Sequence, residues 1–234
     1  MAEPRTILIT GASTGIGAAT AKRLHAAGNR LVLAARRREP LDQLAAGLDQ
    51  GAEVMVEVCD VTEWEQNTAL VDAALERFGS IDVVFANAGF GASRGFLEES
   101  PEHWRSMVLT NVLGVAYTVR ATLPHLLEQD HGHFLITSSV AGRRALPGSL
   151  YSATKWATTA IGEALRQELR QIHDNDGIKV TLIEPGMVDT PFFDNRPTAA
   201  LEADDIAEAI LYAISQPDRV DVNEILIRPA SQPN

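Results

Sequence analysis

A tyrosine and a lysine stand four residues apart in the motif Tyr151-x-x-x-Lys155. In a helix, residues at this spacing lie on one face, with Cβ atoms about 5–6 Å apart. An ammonium group at that distance would favour the phenolate and lower the pKa of the tyrosine from its usual value of about 10. Such a phenol can act as an acid or a base near neutral pH. Taken alone, the pair is more typical of a solvated helix surface, so its meaning depends on the elements that position it.

The composition limits the functions that the pair could serve. The chain has 234 residues, of which 45% are hydrophobic and 22% are charged, as in an ordinary globular protein. Its net charge of -11 disfavours nucleic acid or an anionic membrane as a partner. A local positive pocket could still hold a phosphorylated ligand.

Cysteine content and hydropathy indicate the compartment. The single cysteine, Cys59, can form neither an internal disulfide nor a thiolate cluster, so we expect a reducing compartment and no metal site. The first residues lack a targeting signal, and no apolar segment approaches the roughly 20 residues of a transmembrane helix. We therefore expect a cytoplasmic protein.

Short apolar runs alternate with helical patterns along the chain. The predicted strands are Arg5–Thr10, Arg30–Ala35, Glu53–Cys59, Ile81–Ala86, His133–Ser138, Ile178–Glu184 and Glu224–Ile227. Strands that are apolar on both faces and separated by helices indicate a parallel sheet covered by helices on both sides. No linker interrupts the pattern, so we predict a single α/β domain over residues 1–234 with seven mainly parallel strands.

Local signals predict several helix boundaries. The capping-box pattern Thr62–Glu65 should open one helix, and another should run from Glu39 to about Gln50. The Ser-Pro pair at Ser100 should open a third, with any irregularity near Pro124. The helix that carries the tyrosine and lysine should run over Leu150–His173.

A glycine-rich turn, Thr10–Gly17, separates the first predicted strand from the first helix. Glycines there let the chain turn tightly and let a diphosphate approach the helix N-terminus, whose free N–H groups attract anions. A lone glycine turn is weak evidence, but its place after the first strand favours nucleotide binding. The spacing is Gly-x-x-x-Gly-x-Gly rather than Gly-x-Gly-x-x-Gly.

Further motifs follow this turn in a fixed order. They are Asp60-Val61, Asn87-Ala88-Gly89, Asn111, Ser139, Tyr151-x-x-x-Lys155, and Pro185-Gly186 followed by Thr190. With these motifs the sequence resembles, over essentially its whole length, the single-domain branch of the short-chain dehydrogenase/reductase family. The resemblance implies a Rossmann-like, doubly wound fold and an oxidoreductase that interconverts a carbonyl compound and a secondary alcohol by hydride transfer.

The resemblance also implies catalytic roles. Tyr151 would act as general acid/base at the substrate oxygen, and Lys155 would lower its pKa and bind the nicotinamide ribose. Asn111 would hold a water that links Lys155 to solvent, and Ser139 would orient the substrate oxygen.

Cofactor contacts are implied in the same way. The diphosphate turn would consist of Gly11, Ser13, Thr14, Gly15, Ile16 and Gly17. Asp60 would hydrogen-bond the adenine beside Val61, and Asn87, Ala88 and Gly89 would shape the site near the ribose. Pro185, Gly186, Val188 and Thr190 would border the nicotinamide, next to Tyr151 and Lys155.

Two adjacent serines compete for the catalytic role. Ser139 precedes the Val-Ala-Gly triplet typical of the family, but it stands one residue closer to Tyr151 than is common. Ser138 fits the usual spacing. We follow the triplet and predict Ser139, with a one-residue deletion between Pro147 and Tyr151, and keep Ser138 as the alternative.

The end of the second predicted strand indicates which cofactor is used. Enzymes that use NAD usually carry an acid there, which binds the ribose hydroxyls. Ala35 stands in that place and is followed by Arg36 and Arg37. A guanidinium binds a 2′-phosphate bidentately, so we predict NADP(H), with Arg36 as phosphate ligand and Arg37 as a second. The other interpretation is a basic, solvent-facing helix start.

The substrate is predicted only in outline. Residues 187–203 should form a substrate loop, and the lining candidates are Phe90, Leu146, Leu150, Met187, Phe192 and Phe193. All six could equally be core residues, and a small or medium apolar carbonyl compound would suit them. Arg143 and Arg144 would either meet an anionic substrate or face water, and we favour water.

Other functions stay open. One is a catalytically silent, NADP-sensing regulator on the same fold. Another is an NAD-dependent alcohol or hydroxy-acid dehydrogenase, because the tail Val222–Pro229 resembles that of family members that act on hydroxy acids and related small alcohols. By resemblance, the helices near residues 101–127 and 150–173 would form the interfaces of a homodimer or homotetramer.

Overall fold

The computed structural model describes residues 4–48, 53–193 and 198–232. Its strands are β1 (Thr6–Thr10), β2 (Arg30–Ala35), β3 (Val54–Val58), β4 (Val83–Ala86), β5 (Gly132–Thr137), β6 (Ile178–Pro185), β7 (Val188–Asp189), β8 (Leu201–Glu202) and β9 (Glu224–Ile227). Seven of them form one sheet in the order β3-β2-β1-β4-β5-β6-β9, with every neighbouring pair parallel. The predicted α/β fold with a doubly wound, seven-stranded parallel sheet is confirmed.

Helices follow most of the strands. They are α1 (Gly15–Ala26), α2 (Arg38–Ala46), α3 (Trp64–Phe78), α4 (Pro101–Val108), α5 (Val115–Gln129), α6 (Leu150–Gln171) and α7 (Ala203–Ser215). A π-helical segment, Leu109–Gly114, joins α4 to α5. Helix α2 ends at Ala46, short of the predicted end at Gln50, which lies outside the described residues.

The core lies on both faces of the sheet. Successive side chains of a strand point to opposite faces, so Leu8 packs with α3, α5 and α6, while Ile7 and Ile9 pack with α1, α2 and α7. All three side chains are fully buried. A strand covered on both faces needs apolar residues at every position, which explains the continuous apolar runs in the sequence.

The strand order places a crevice beside β1. The chain builds outward from β1 through β2 to β3 and then returns to the other side of β1 with β4. In such sheets ligands bind at the carboxyl ends of the strands beside this reversal. The segments that follow β1, β4, β5 and β6 leave the sheet at this edge, and they carry most of the predicted site residues.

The helix predicted from Ser100 is interrupted at a different place from the one expected. Ser100 caps α4 by accepting a hydrogen bond from the main-chain nitrogen of His103 at 3.1 Å, as predicted. The irregularity is the π-helical segment, whereas Pro124 lies within α5, so the expectation of an irregularity near Pro124 is wrong. π-Helical turns are frequent at functional sites, and this one contains Asn111.

The capping box predicted at Thr62–Glu65 is also wrong. Helix α3 begins at Trp64, with Glu63 in the N-cap position. The hydroxyl of Thr62 instead donates to Oδ1 of Asp60 at 2.9 Å, and the same oxygen accepts from the main-chain nitrogen of Thr62 at 3.0 Å. Thr62 therefore stabilises the turn at Asp60 rather than the helix.

The predicted substrate loop, residues 187–203, is held at both ends. Strands β7 and β8 pair in parallel, with Val188 opposite Leu201. Helix α7 follows at once, and Asp204 in its first turn forms an ion pair with Arg23 of α1. The two ends of the loop are therefore fixed against the domain, while the predicted loop residue Pro197 lies outside the described residues.

Candidate active site

The glycine-rich turn after β1 requires its glycines. Gly11 and Gly15 have positive φ angles of 65° and 56°, which favour glycine. A Cβ atom on Gly17 would collide with the main-chain oxygen of Gly11 and lie 2.8 Å from Nδ2 of Asn87. Within the described chain, the N-cap residue Thr14 makes no side-chain cap to α1. The first turn of α1 therefore offers main-chain N–H groups to an anion.

Asn87 joins three strand ends around this turn. Its Nδ2 donates to the main-chain oxygens of Thr10 and Gly11 at 3.2 and 3.3 Å. Its Oδ1 accepts from the hydroxyl of Thr137 at 3.1 Å. Ala88 lies against Gly11, where a Cβ would come within 2.8 Å of the Ala88 Cα. The amide thus fixes the ends of β1, β4 and β5 relative to one another.

Asn111 lies in the π-helical segment and is fully buried. Its Oδ1 accepts from the main-chain nitrogen of Phe90 at 3.0 Å, and its Nδ2 donates to the oxygen of Phe90 at 2.9 Å. Its main-chain oxygen accepts from the hydroxyl of Thr158 at 2.9 Å. A Cβ on Gly89 would lie 3.0 Å from Oδ1 of Asn111 and 3.7 Å from Nζ of Lys155. Asn111 is therefore brought close to Lys155, as the resemblance implies.

Tyr151 and Lys155 occupy successive turns at the start of α6. Ser149 caps this helix by accepting from the main-chain nitrogen of Ser152 at 3.2 Å. Nζ of Lys155 donates to the main-chain oxygen of Thr137 at 2.7 Å and lies 5.8 Å from the centre of the Tyr151 ring. The sequence did not identify Thr137, because its contribution is a main-chain carbonyl.

The electrostatics of the pair differ from the expectation. Burial raises the pKa of Tyr151 to about 12, and a hydrogen bond with the side chain of Ser139 opposes this rise. Burial also lowers the pKa of Lys155 to about 8. The expected lowering of the Tyr151 pKa by Lys155 does not accompany this arrangement, in which the hydrogen bond with Ser139 is what opposes the effect of burial. Desolvation is the larger effect at both residues.

The structure distinguishes the two serines by their partners. The side chain of Ser139 forms a hydrogen bond with the side chain of Tyr151. Its hydroxyl also donates to the main-chain oxygen of Pro185 at 3.3 Å and accepts from the main-chain nitrogen of Ala141 at 3.1 Å. The hydroxyl of Ser138 instead donates to the main-chain oxygen of Lys155 on α6 at 3.1 Å. This geometry favours Ser139 over Ser138 as the serine at the tyrosine hydroxyl.

The predicted adenine and phosphate residues follow β2 and β3. Ala35 ends β2 almost completely buried, and Arg36 and Arg37 extend beyond it exposed. Arg38 pairs with Asp42 at 2.9 Å, whereas Arg36 and Arg37 make no ion pair within the described ranges. After β3, the predicted pair lies in a turn in which Asp60 is half-buried and Val61 is buried against Gly114.

The segment after β6 contacts both β9 and the glycine-rich turn. The main-chain nitrogen of Gly186 donates to Ile227 of β9 at 2.7 Å, and Val188 is buried. Thr190 lies against the glycine turn, where a Cβ on Gly15 would come within 3.3 Å of it. The remaining turn residues, Ser13 and Ile16, are half-buried.

The lining candidates are divided between the core and the site. Phe90, Leu146, Leu150 and Met187 are half-buried, and the exposed Phe192 and Phe193 contact each other with 5.1 Å between ring centres. The Phe192 ring also lies 5.6 Å from that of Tyr151 and covers Gly91, a contact that the sequence did not indicate. Arg143 forms ion pairs with Glu184 and Glu224. Arg143 is exposed, as expected, but its guanidinium is engaged by these two carboxylates.

A glycine-rich turn that meets a tyrosine–lysine pair at the carboxyl edge of a parallel sheet defines a class of nucleotide-dependent oxidoreductase. Residues 5–200 match the family model described as short chain dehydrogenase, and the chain belongs to that family. The resemblance predicted from the motifs is confirmed.

Relatives and solved structures agree with this assignment. An uncharacterized oxidoreductase of Staphylococcus aureus strain MW2 is 41% identical over 226 residues, covering 95% of this chain and 96% of the relative. An alcohol dehydrogenase from Thermococcus sibiricus, complexed with 5-hydroxy-NADP, has a TM-score of 0.90 at 35% identity, covering 99% of both chains. A short chain dehydrogenase/reductase from Burkholderia phymatum in complex with NAD has a TM-score of 0.85 at 31% identity, covering 96% of this chain and 89% of that one.

Neither a membrane-spanning helix nor a metal-binding cluster occurs in the described residues. Over residues 4–48, 53–193 and 198–232, no helix is long and apolar enough to cross a membrane. The same ranges hold no group of three or more histidine, cysteine, aspartate or glutamate side chains that could bind a metal ion.

Proposed function

We propose that this protein is an NADP(H)-dependent oxidoreductase that interconverts a carbonyl compound and a secondary alcohol by hydride transfer. The observation that carries the proposal is that Ser139 and Lys155 both lie at Tyr151, and that Thr137 and Asn87 connect Lys155 to Gly11 of the glycine-rich turn. Thr190 supports it, because it contacts Gly15 of that turn and lies in the segment that also reaches the tyrosine ring.

Tyr151 is the residue that exchanges the proton. When a carbonyl carbon accepts hydride, negative charge develops on its oxygen, and a donor aimed there stabilises the transition state. A pKa of about 12 keeps the Tyr151 hydroxyl protonated at neutral pH, so it can donate in the reduction direction. The hydroxyl of Ser139 donates to the main-chain oxygen of Pro185 at 3.3 Å. When substrate is bound, this hydroxyl donates to the substrate oxygen instead.

Lys155 restores the proton to Tyr151. Its pKa of about 8 makes both protonation states accessible near neutral pH. Asn111 lies beside it across Gly89, and we assign to Asn111 the water that links Lys155 to solvent. Asn87 positions this relay indirectly, because it holds Thr137, whose main-chain oxygen accepts from Lys155.

The residues at the carboxyl edge fit a dinucleotide. Gly11, Gly15 and Gly17 keep Cβ atoms away from the N-terminus of α1, so a diphosphate can approach its main-chain N–H groups. Asp60 and Val61 would contact the adenine of the bound dinucleotide, and Pro185 to Thr190 would border its nicotinamide. The bound cofactor would supply the hydride, while the chain supplies the proton and the orientation.

Two exposed arginines favour NADP(H) over NAD(H). Arg36 and Arg37 follow the short side chain of Ala35, where an acidic residue would repel a 2′-phosphate. The Thermococcus sibiricus relative, complexed with 5-hydroxy-NADP, is in line with this choice. The Burkholderia phymatum structure contains NAD, so an NAD-dependent alcohol or hydroxy-acid dehydrogenase is the second candidate.

Aromatic side chains favour an apolar substrate of small or medium size. In the substrate loop, residues 187–203, Phe192 lies on the Tyr151 ring and on Gly91, and Phe193 packs behind it. The nearby Arg143 is engaged by two carboxylates, so it does not attract an anionic substrate.

An apolar groove of about 750 Å³ bordered by α3, α5 and α6 favours assembly. Its lining includes Trp64, Leu123, Leu127 and Ile161. We assign this face to subunit contact in a homodimer or homotetramer, to be checked by light scattering of the purified protein.

An oxidation assay tests the proposal. Wild-type protein and the variant Tyr151→Phe would be given NADPH with cyclohexanone, acetophenone, benzaldehyde or pyruvate, and the loss of NADPH absorbance followed. We expect wild type to reduce at least one apolar carbonyl, and the variant to bind NADPH equally well but lose nearly all turnover. Tight NADPH binding without turnover of any carbonyl or of cyclohexanol would favour the NADP-sensing regulator instead.

A further inference from the structure

A carboxylate buried behind the catalytic residues joins the two elements that carry them. Glu184 is 1% exposed and immediately precedes Pro185 on β6. Its Oε1 accepts from Nε of Arg143 at 2.7 Å and from the hydroxyl of Thr159 at 3.5 Å. Its Oε2 is buried without a hydrogen-bond partner among the described residues. A buried carboxylate that is only partly satisfied destabilises the fold, so its presence calls for a reason.

The partners of Glu184 come from the two catalytic elements. Arg143 lies just beyond the short helical turn that Ser139 opens. Thr159 lies one helical turn after Lys155 on α6, and its hydroxyl also contacts that of Ser138 at 2.7 Å. The carboxylate therefore lies between the serine turn and the tyrosine–lysine helix.

Three successive residues of β6 hold the serine turn in place. The main-chain oxygen of Ile183 accepts from the nitrogen of Ser138 at 2.7 Å. Glu184 holds Arg143, and the oxygen of Pro185 accepts from the hydroxyl of Ser139 at 3.3 Å. The last of these bonds is long for an O–H···O hydrogen bond, which usually spans about 2.5–3.0 Å. A hydroxyl held so weakly can transfer its hydrogen bond to another acceptor.

We propose that Arg143 and Glu184 are positioning residues that fix the Ser139 hydroxyl between Pro185 and Tyr151. The inference rests on the proposed function, in which Ser139 orients the substrate oxygen. The ion pair sets the separation of the serine turn from β6, and thereby keeps the Ser139 hydrogen available to the substrate. Without Arg143 the charge of Glu184 is left buried and unpaired, and the turn that it anchors shifts.

A double-mutant cycle tests this role. Arg143→Met, Ser139→Ala and the combined variant would be compared for kcat on the fastest carbonyl of the panel and for NADPH Kd. We expect Arg143→Met to lower kcat by about tenfold, which is about 1.4 kcal/mol of transition-state stabilisation, with no change in NADPH Kd. The combined variant should be no slower than Ser139→Ala alone. The proposal would be overturned if Arg143→Met lowered kcat by the same factor in the wild type and in Ser139→Ala. It would also be overturned if Arg143→Met left kcat unchanged.

Matched variants separate positioning from general stability. Arg170→Met is the control variant, because it breaks the ion pair between Arg170 and Asp221. The side chains of Arg170 and Arg143 are similarly exposed, at 31% and 34%. Arg170→Met should lower Tm without changing kcat, whereas Arg143→Lys, which keeps a positive charge against Glu184, should recover most of the lost kcat.

A second variant covers a failure to fold. If Arg143→Met is insoluble, Glu184→Gln replaces it in the same cycle with the same expected non-additivity. A wild type that reduces no carbonyl overturns the proposed function and this inference together. An active wild type with an additive cycle overturns the inference alone.

Discussion

The ring of Phe192 lies edge-on to the ring of Tyr151, with 5.6 Å between the two ring centres. The same ring covers Gly91, where a Cβ atom would come within 2.6 Å of its Cζ. Gly91 therefore admits the aromatic side chain, and the side chain limits the space beside the tyrosine hydroxyl. This contact links the substrate loop directly to the residue that we propose exchanges the proton.

Phe192→Ala should shift the substrate preference toward bulkier carbonyls. Removal of the ring enlarges the space beside Tyr151, and small substrates lose their apolar contact with the ring. Each effect should change the free energy of transition-state binding by about 1–3 kcal/mol. We expect the ratio of kcat/KM for acetophenone to that for a small ketone such as acetone to rise by about tenfold. Phe96→Ala, which removes an exposed ring that packs on Trp104 instead, is the control and should leave this ratio unchanged.

Gly17→Ala should impair cofactor binding. The added Cβ would collide with the main-chain oxygen of Gly11 and crowd Nδ2 of Asn87, so the turn at the N-terminus of α1 must shift. We expect the NADPH Kd, measured by calorimetry, to rise by about tenfold or more, and the free energy of unfolding to fall by about 1–3 kcal/mol. Gly47→Ala is the matched control, because its Cβ would meet only ordinary contacts at 3.5 Å. Equal NADPH affinity in both variants would contradict the proposed diphosphate site.

Patterns along the chain were sufficient to predict the sheet. The seven strands follow from apolar runs that are buried on both faces, as Ile7 and Leu8 illustrate. The glycine turn was also predictable, because positive φ and close packing at Gly11 leave no other residue type. Such features depend on local sequence and on burial alone.

Features that depend on distant contacts were not predictable. The π-helical turn at Asn111 is accompanied by hydrogen bonds to Phe90 and Thr158, which lie far away in the sequence. The pKa of Tyr151 depends on how deeply its hydroxyl is buried, and the i, i+4 spacing contains no information about that depth. Arg143 is exposed, but its ion pair with Glu184 was not predictable, because Glu184 lies on β6, far away in the sequence.

Lys155→Met should stabilise the fold at neutral pH while abolishing turnover. Burial lowers the pKa of Lys155 from 10.5 to about 8, so the charged form is disfavoured in the folded state. Below pH 8 the wild type bears this full cost, and between pH 8 and 10.5 the unfolded chain binds more protons, so the cost fades. We expect the variant to gain about 1–3 kcal/mol in urea unfolding at pH 7, and most of that gain to be absent at pH 10.

The exposed Lys22 provides the control for this experiment. Lys22→Met removes a charge that is exposed rather than buried, so this variant should not gain stability at pH 7. A Lys155→Met variant that is less stable than wild type at pH 7 would show that the hydrogen bond to Thr137 outweighs the cost of burial.

Arg36→Glu should reverse the cofactor preference. The arginine follows Ala35 at the carboxyl end of β2, exposed and without an ion pair among the described residues, so its guanidinium is available to a 2′-phosphate. A carboxylate there would repel that phosphate and accept hydrogen bonds from ribose hydroxyls. We expect the NADPH Kd to rise and the NADH Kd to fall, changing their ratio by about a hundredfold, or about 2.7 kcal/mol. In Arg38→Glu, which removes an arginine already paired with Asp42, the ratio should change far less. Unchanged NADPH affinity in Arg36→Glu would exclude Arg36 as the phosphate ligand and favour the NAD-dependent alternative.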